Sequence, residues 1–538
     1  MTNTANTVLS LSHEEAMDFF MKSDNYHSFE LPEYFVFDDM LQSVKTIVAD
    51  KPYDQCLQPG VSPEELPEVN LDILLNKDGR YAVRPLILAN PFLYYFVVRE
   101  LCSEQAWAKV RELFAKFQVP CITACALPVL PKEVEAFHKS STILNWWASI
   151  EQRSIELSLE YRYMFVTDIT NCYGSVNPQT IDWAFALKDT KHATTGSPIA
   201  ANLKRYLRAL QHGRNIGIPQ GSTAFDFIAE IVLGYSDLLL HEAIDAAGIT
   251  APYEIIRYRD DYRIFCNDRD ALEQISYILQ HVLESLNFRM NSKKTKISES
   301  IVTDAIKPDK LDYIYNTPIY NKKGVDFDSF EKHLLYILLF ARKHPNSGTV
   351  RTLLSDIDKR IAKRLKADDG KLVGGSVKAM AAVCVQIAIE NVNSSHYALR
   401  VISRMVDSLD DASDRLDIIS SVCRKLSSQP NSTYTQLWLQ NMTYRHDLDT
   451  GSSPYDVRLC KVVMGDDVAL CDNTWLADSL TAAFDQSAIV DSDTLAQVTP
   501  IITFRETRIY NAAYPGGDDP DDIPDGKPRF IPIDIIEL

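Results

Sequence analysis

The sequence is 538 residues long, 46% hydrophobic and 24% charged, with a formal net charge of −18. That length exceeds one ordinary domain, the composition is that of a soluble globular protein, and the charge excludes a protein that coats nucleic acid through bulk electrostatics. Its ten cysteines form no Cys-x-x-Cys pair, which argues against a disulfide framework or zinc site and fits a reduced, cytoplasmic chain.

Met1–Glu14 is polar with early acids, unlike a secretory signal, and the longest apolar run, near Ala379–Ile389, is too short to span a bilayer. It reads as a buried helix, so no membrane partner is expected. Four regions separate by pattern: 1–150, 151–310, 311–500 and an acidic tail over 501–538. The first mixes short apolar runs with proline-rich punctuation such as Leu57-Gln58-Pro59-Gly60. The second alternates strand-like and helix-like segments, which predicts an α+β layer structure. Within it, Tyr163–Val166 reads as a strand ending at Asp168, and Ser222–Leu240 as a helix capped by Ser222 or Thr223. Ile255–Tyr258 and Tyr262–Phe265 read as two strands joined tightly at Asp260-Asp261.

From about 327 to 500 the pattern becomes successive helices: Phe327–Lys343, Thr349–Lys366, Ser376–Val392, His396–Ser408 and Ala412–Ser427. Such a series predicts an all-α helical-repeat domain, although it shows no fixed sequence period. Asn431–Ser453 is polar and irregular. A Gly/Pro/Asp-rich linker, Pro515–Pro528, precedes a strand-like Phe530–Ile536.

The sequence holds seven Asp-Asp pairs, most of them expected to be solvated turns or caps. Asp260-Asp261 differs by its setting, because a tight hairpin between apolar strands pushes both carboxylates out at one sheet edge. Asp168 ends a strand in the same region. Three carboxylates meeting there repel each other unless divalent metal neutralises them, and Mg²⁺ suits a site made of a few carboxylates and substrate phosphates. The pattern alone leaves a structural acidic turn open.

Four segments follow in order: Val166-Thr167-Asp168-Ile169-Thr170-Asn171-Cys172-Tyr173, Gly217-Ile218-Pro219-Gln220-Gly221-Ser222, Tyr258-Arg259-Asp260-Asp261 and Met290-Asn291-Ser292-Lys293-Lys294-Thr295. They resemble motifs A, B, C and D of reverse transcriptases, and Arg84-Pro85-Leu86-Ile87 resembles the fingers strand upstream. The resemblance spans roughly residues 75–300. It implies a right-hand polymerase, with an N-terminal segment and fingers over 1–150 and a palm over 151–310. It also implies two Mg²⁺ ions, or Mn²⁺ in their place, held by Asp168, Asp260, Asp261 and the Ile169 carbonyl. Tyr173 takes the family's sugar-gate position, so dNTPs are the implied substrates. Gln220 and Gly221 border the nucleotide, Lys294 neutralises or protonates the leaving pyrophosphate, and Arg84 grips a phosphate, with Arg80 and Lys77 as weaker candidates. Each has an ordinary alternative: a core tyrosine, a helix-start turn, a solvated surface charge. Cys172 reads as packing rather than redox chemistry.

Arg259 stands where many retroviral enzymes carry an apolar residue. The Arg257–Phe265 form of motif C, the Asn25–Phe35 segment and the long helical region resemble bacterial defence-associated enzymes of the abortive-infection and unknown groups. That implies antiphage defence, homo-oligomers, and tyrosine-primed DNA synthesis without a template, leaving DNA covalently attached to the protein. Tyr26 is the chosen primer candidate, from an N-terminal segment expected to be exposed, with Tyr510 and Tyr514 as rivals. Other defence relatives copy a companion noncoding RNA, so template-directed synthesis is the alternative. A phage-sensing interaction scaffold is another.

Overall fold

The computed structural model describes residues 7–76, 82–130, 147–187, 197–312, 330–366, 372, 374–450, 454–485 and 489–498. Two sheets order the first three hundred. In the smaller, β1 (Leu71–Asn76) and β2 (Val83–Leu88) pair antiparallel, with Leu71 opposite Leu88 and Asn76 opposite Val83. The larger has the order β3-β5-β6-β4-β7. Its strands are β3 (Ile122–Ala124), β4 (Tyr163–Asp168), β5 (Tyr253–Tyr258), β6 (Asp261–Cys266) and β7 (Lys296–Ser298). β3 runs parallel to β5, and the other neighbours are antiparallel. β3 lies before residue 150, yet it belongs to this sheet.

The middle strands are apolar without alternation because both faces of the sheet are covered. Ile255, Tyr262 and Ile264 join the main core, whereas Met164, Ile256 and Phe265 pack on the opposite face with Ile150, Leu157 and Ile301.

Helices flank these sheets: α1 (His13–Phe20), α2 (Asp38–Val48), α3 (Pro91–Leu101), α4 (Glu104–Phe117), α5 (Pro178–Ala186), α6 (Pro198–Leu210), α7 (Thr223–Ala246) and α8 (Arg269–Ser285). Their starts follow capping chemistry. Ser12 and Glu15 form a capping box on α1, and Asn90 accepts from the Phe92 and Leu93 amides beneath Pro91. Ser222 Oγ accepts from the Phe225 amide at 3.3 Å, which starts α7 where the sequence placed it.

Six helices follow in series: α9 (Phe330–Lys343), α10 (Gly348–Leu365), α11 (Gly374–Glu390), α12 (Ser395–Asp407), α13 (Ala412–Ser427) and α14 (Thr433–Thr450). α9 packs on α11, α10 on α12, α11 on α13, and α12 on α14. α14 corrects the expectation of an irregular stretch over Asn431–Ser453. Leu437, Trp438 and Leu439 are buried, and the polar residues among them find partners inside. Gln440 Nε2 donates to the Cys460 carbonyl at 2.6 Å, and the Thr443 and Tyr455 hydroxyls are 3.0 Å apart. A helix enclosed on several sides shows no single apolar stripe, so periodicity missed it.

The chain then turns back onto its beginning. The Gln58 amide donates to the Trp475 carbonyl (2.6 Å) and Ala477 to Cys56 (2.9 Å). Val36 donates to Ile489 (2.9 Å) and Asp491 to Tyr34 (2.8 Å). A second tie is ionic: buried Glu30 meets Arg351 Nη1 at 3.0 Å and His396 Nε2 at 2.7 Å. No helix of the described residues is long and apolar enough to cross a membrane.

The exposure expected of Tyr26 is overturned. Tyr26 is 1% exposed, packs edge-on against Tyr94 at 4.9 Å, and donates its hydroxyl to the Ala89 carbonyl. Burial pushes that phenol well above its ordinary value. Lys22, Asp24 and Ser28 around it are exposed, but Ser23, Asn25 and His27 are buried, and the Asn25 amide reaches the Phe19 carbonyl at 2.7 Å. A phenol sealed this way cannot present its oxygen as a primer. Tyr510, Tyr514 and the strand-like tail lie outside the described residues, as do Lys77 and Arg80.

Candidate active site

β5 and β6 are joined by a two-residue loop, with Tyr258 paired to Asp261 and Arg259-Asp260 between them. Arg259 has φ 51°, the left-handed region that a tight hairpin requires and that glycine normally supplies. β4 pairs with β6 so that Asp168 stands directly opposite Asp261. Cross-strand geometry sets their Cβ atoms about 5 Å apart. The Ile169 amide donates to the Asp260 carbonyl at 3.0 Å, fastening the end of β4 to the loop. Asp168, Ile169, Asp260 and Asp261 therefore meet at one sheet edge.

The following turn is tied to the same edge. The Asn291 amide donates to the Asp168 carbonyl at 2.9 Å, and the Thr295 and Thr167 hydroxyls lie 2.7 Å apart. Between those anchors, Lys294 Nζ donates to Asp168 Oδ2. Burial pulls the Lys294 ammonium down, but that hydrogen bond and the charges of Asp168, Asp261 and Asp260 outweigh it and leave the group above its ordinary value.

Crowding by the protein, then the charges of Asp260 and Asp168, raise Asp261 to about 6. Asp260 is also raised, by burial first, with Arg259 pulling down and Asp168 pushing up. The Asp261 side chain reaches solvent, so mutual repulsion is the part of its shift that a cation would remove. Among the described residues Asp168 Oδ1 is buried without a hydrogen-bond partner. Among the described residues, too, no three His, Cys, Asp or Glu side chains are grouped closely enough to hold a metal ion by themselves. A hard divalent cation fits this donor set nonetheless, because it keeps waters and takes only a few carboxylates before substrate phosphates arrive. Metal binding at pH 6 should therefore release protons, and affinity should rise as pH passes upward through 6. Calorimetry in two buffers of different ionisation enthalpy reads this directly; identical heats in both would refute it.

Tyr173 follows on a short turn, its carbonyl accepting from the Ile218 amide at 2.9 Å. Its hydroxyl donates to Asp226 Oδ1 of α7 at 2.6 Å. Gly221 (φ 141°) sits against β2: an added Cβ would lie 2.7 Å from the Ile87 carbonyl oxygen. The close approach that demands glycine here is thus to the β2 backbone, where the Ile87 amide donates to the Gln220 carbonyl at 2.8 Å. This contact draws β2 to the sheet edge. Arg84 of β2 is held below its ordinary value by burial, opposed by the nearby charges of Asp260 and Tyr173. Cys172 is buried, which raises its thiol.

Sequence reasoning missed the ionic scaffold beneath this edge. Fully buried Arg257 donates through Nε to both oxygens of Asp237 (3.0 and 2.8 Å) and through Nη1 to both oxygens of Glu230 (3.0 Å each). It also donates to the Arg259 carbonyl at 3.1 Å, and Arg259 Nη2 donates to Asp226 Oδ2 at 2.7 Å. Burial raises Asp237 to about 6 even though Arg257 pulls it down. Spacings of four and seven put Asp226, Glu230 and Asp237 on one face of the mostly apolar stretch Thr223–Leu240 of α7, a readable signal that cations must meet them.

Residues 116–326 match the family model described as reverse transcriptase (RNA-dependent DNA polymerase). No curated protein matches the chain. Among solved structures, the chain is similar to telomerase from Candida albicans in complex with the TWJ fragment of telomeric RNA. The identity there is 11% and the TM-score 0.30, over 69% of this chain and 68% of that one. It is also similar to apo telomerase from Candida tropicalis, at 13% identity and TM-score 0.30, over 68% of this chain and 69% of that one. With a carboxylate-lined hairpin inside the matched residues, the chain carries a reverse transcriptase domain over residues 116–326 and is a nucleotidyltransferase like the RNA-directed DNA polymerases.

Proposed function

We propose that the chain adds deoxynucleotides to a growing DNA strand at the edge formed by Asp168, Asp260 and Asp261. The observation that carries this reading is the meeting of Asp168 with Asp260 and Asp261, from two separated motifs, at one sheet edge, with Asp168 Oδ1 buried and lacking a hydrogen-bond partner among the described residues. Two Mg²⁺ ions, or Mn²⁺ in their place, would be held by these residues and the Ile169 carbonyl. They would supply activation of the attacking hydroxyl and charge neutralisation at the leaving pyrophosphate. Lys294 stands beside Asp168, where its ammonium can neutralise or protonate that leaving group. Arg84 grips a phosphate of the incoming nucleotide, a task for which a planar guanidinium is suited, and Arg80 remains a candidate for the same task. The Tyr173 ring fills the space a 2′-hydroxyl needs, with Gln220 and Gly221 shaping the same wall.

The wider role is antiphage defence by a cytoplasmic homo-oligomer, with synthesis primed on a tyrosine hydroxyl and needing no template. The form of motif C and of the Asn25–Phe35 segment supports it, and the acidic charge suits an enzyme that grips no long duplex. With Tyr26 sealed in the core, Tyr510 and Tyr514 become the primer candidates. The test incubates purified protein with Mg²⁺ and each labelled dNTP or NTP, without template or primer. Label that stays with the denatured protein supports priming on the chain. Label that appears only after RNA is added replaces this reading with template-directed synthesis on a companion RNA.

A further inference from the structure

The two oxygens of the Asp226 carboxylate serve two different motifs. Oδ1 accepts from the Tyr173 hydroxyl at 2.6 Å, and Oδ2 accepts from Arg259 Nη2 at 2.7 Å. Tyr173 is thereby fixed at both ends, since its own carbonyl accepts from the Ile218 amide at 2.9 Å. A ring tethered only by its backbone can change rotamer; one whose far end is also bonded to a carboxylate cannot do so without breaking a charge-assisted hydrogen bond. Arg259 carries the left-handed φ of the loop that presents Asp260, a conformation that costs energy in a non-glycine residue. Its ion pair with Asp226, and the donation from Arg257 to its carbonyl, hold it there. Asp226 sits in the first turn of the 24-residue α7, buried along most of its length, so the anchor itself is rigid.

We infer that Asp226 is a positioning residue that sets sugar selectivity, locking the Tyr173 ring and the Asp260 loop into one unit through its two carboxylate oxygens. The inference rests on the reading of Tyr173 as the sugar gate. It assigns Arg259 a role as well: the arginine pins the carboxylate so that the tyrosine is held, not merely contacted.

The test compares kcat/KM for dATP and ATP in the wild-type chain and five variants. Tyr173→Phe keeps the ring and removes the tether, and Asp226→Asn keeps an acceptor for Tyr173 but loses the charge that Arg259 needs. Each should reduce the preference for dATP by about tenfold, the worth of one hydrogen bond to a charged group. The loss should appear as a lower KM for ATP. Combining the two should add little, because both release the same ring. Asp226→Asn with Arg259→Gln, which replaces the ion pair by an amide pair, should restore part of the preference; a merely structural defect would not recover this way. An unchanged preference in Tyr173→Phe and Asp226→Asn, or fully additive losses, would overturn the inference. Should Asp226→Asn fail to fold, Tyr173→Phe decides alone. If the wild-type chain shows no preference, or Tyr173→Ala does not relax it, the gate reading itself falls and the inference with it. Relaxation by Tyr173→Ala alone leaves the gate standing and removes only the role of Asp226.

Discussion

Asp261→Asn is expected to stop nucleotide incorporation and, in the same protein, to raise the melting temperature of the metal-free chain. The two effects have one origin. Asp261 is raised to about 6 by the protein around it and by the charges of Asp260 and Asp168, so its ionised form is disfavoured without a cation. A neutral amide of the same shape removes that repulsion and gains stability. It also removes the charge that would bind metal, and losing several kcal/mol of transition-state stabilisation lowers turnover about a thousandfold or more. The sign of the pH dependence follows. The penalty of a carboxyl raised in the fold is complete above 6, shrinks as pH falls from 6 toward the ordinary value of 3.8, and is gone only below that. The variant should therefore melt above the wild-type chain at pH 8 in EDTA, and the gap should close between pH 6 and pH 3.8. A variant that melts lower at pH 8, or retains incorporation, would refute the assignment of this residue to the metal edge.

The largest stability effect is expected from Arg257→Met. It leaves Glu230 and Asp237 buried, close together and without their cation, and breaking a buried pair from one side costs roughly 3–5 kcal/mol. Urea unfolding should show that loss, and incorporation should fall further, because the Arg259 carbonyl loses its donor and the Asp260 loop loses a support. Replacing all three charges together by apolar residues of similar volume should recover most of the stability, since the desolvation cost leaves with the charges. The activity should not recover, as the loop still lacks its donor. A single-variant loss below about 1 kcal/mol would mean that water reaches these carboxylates and that the network is not a scaffold.

The strands and helix that form the site were legible because each is bounded by local chemistry. β4 ends at Asp168, the hairpin closes on Arg259-Asp260, and Ser222 caps α7, all through residues within a few positions of one another. The helices from 348 to 427 were legible for the same reason, with bounds within two residues of the expected ones. What stayed hidden depends on distant partners. β3 is three residues long and becomes a strand only because β5 lies beside it. Tyr26 looks exposed among polar neighbours until Asn25 and Ser23 are seen to bond inward, to the Phe19 carbonyl and the Phe37 amide. The acids of α7 were visible, but their pairing with Arg257 and Arg259 crosses about twenty to thirty residues, and no spacing rule selects those two arginines from the rest.

The return of residues 472–491 onto residues 34–68 has a consequence for biogenesis. The early segment that packs on α3 and α6 is finished only when a partner made more than four hundred residues later emerges from the ribosome. At ordinary elongation rates that interval is roughly 20–90 s. During it the Tyr53 ring waits for Trp475 to cover it, and the Leu57 backbone waits for its bridge to Leu476. The nascent chain is thus a client for holding chaperones, and a premature stop before Trp475 should yield an aggregating product rather than a shorter polymerase.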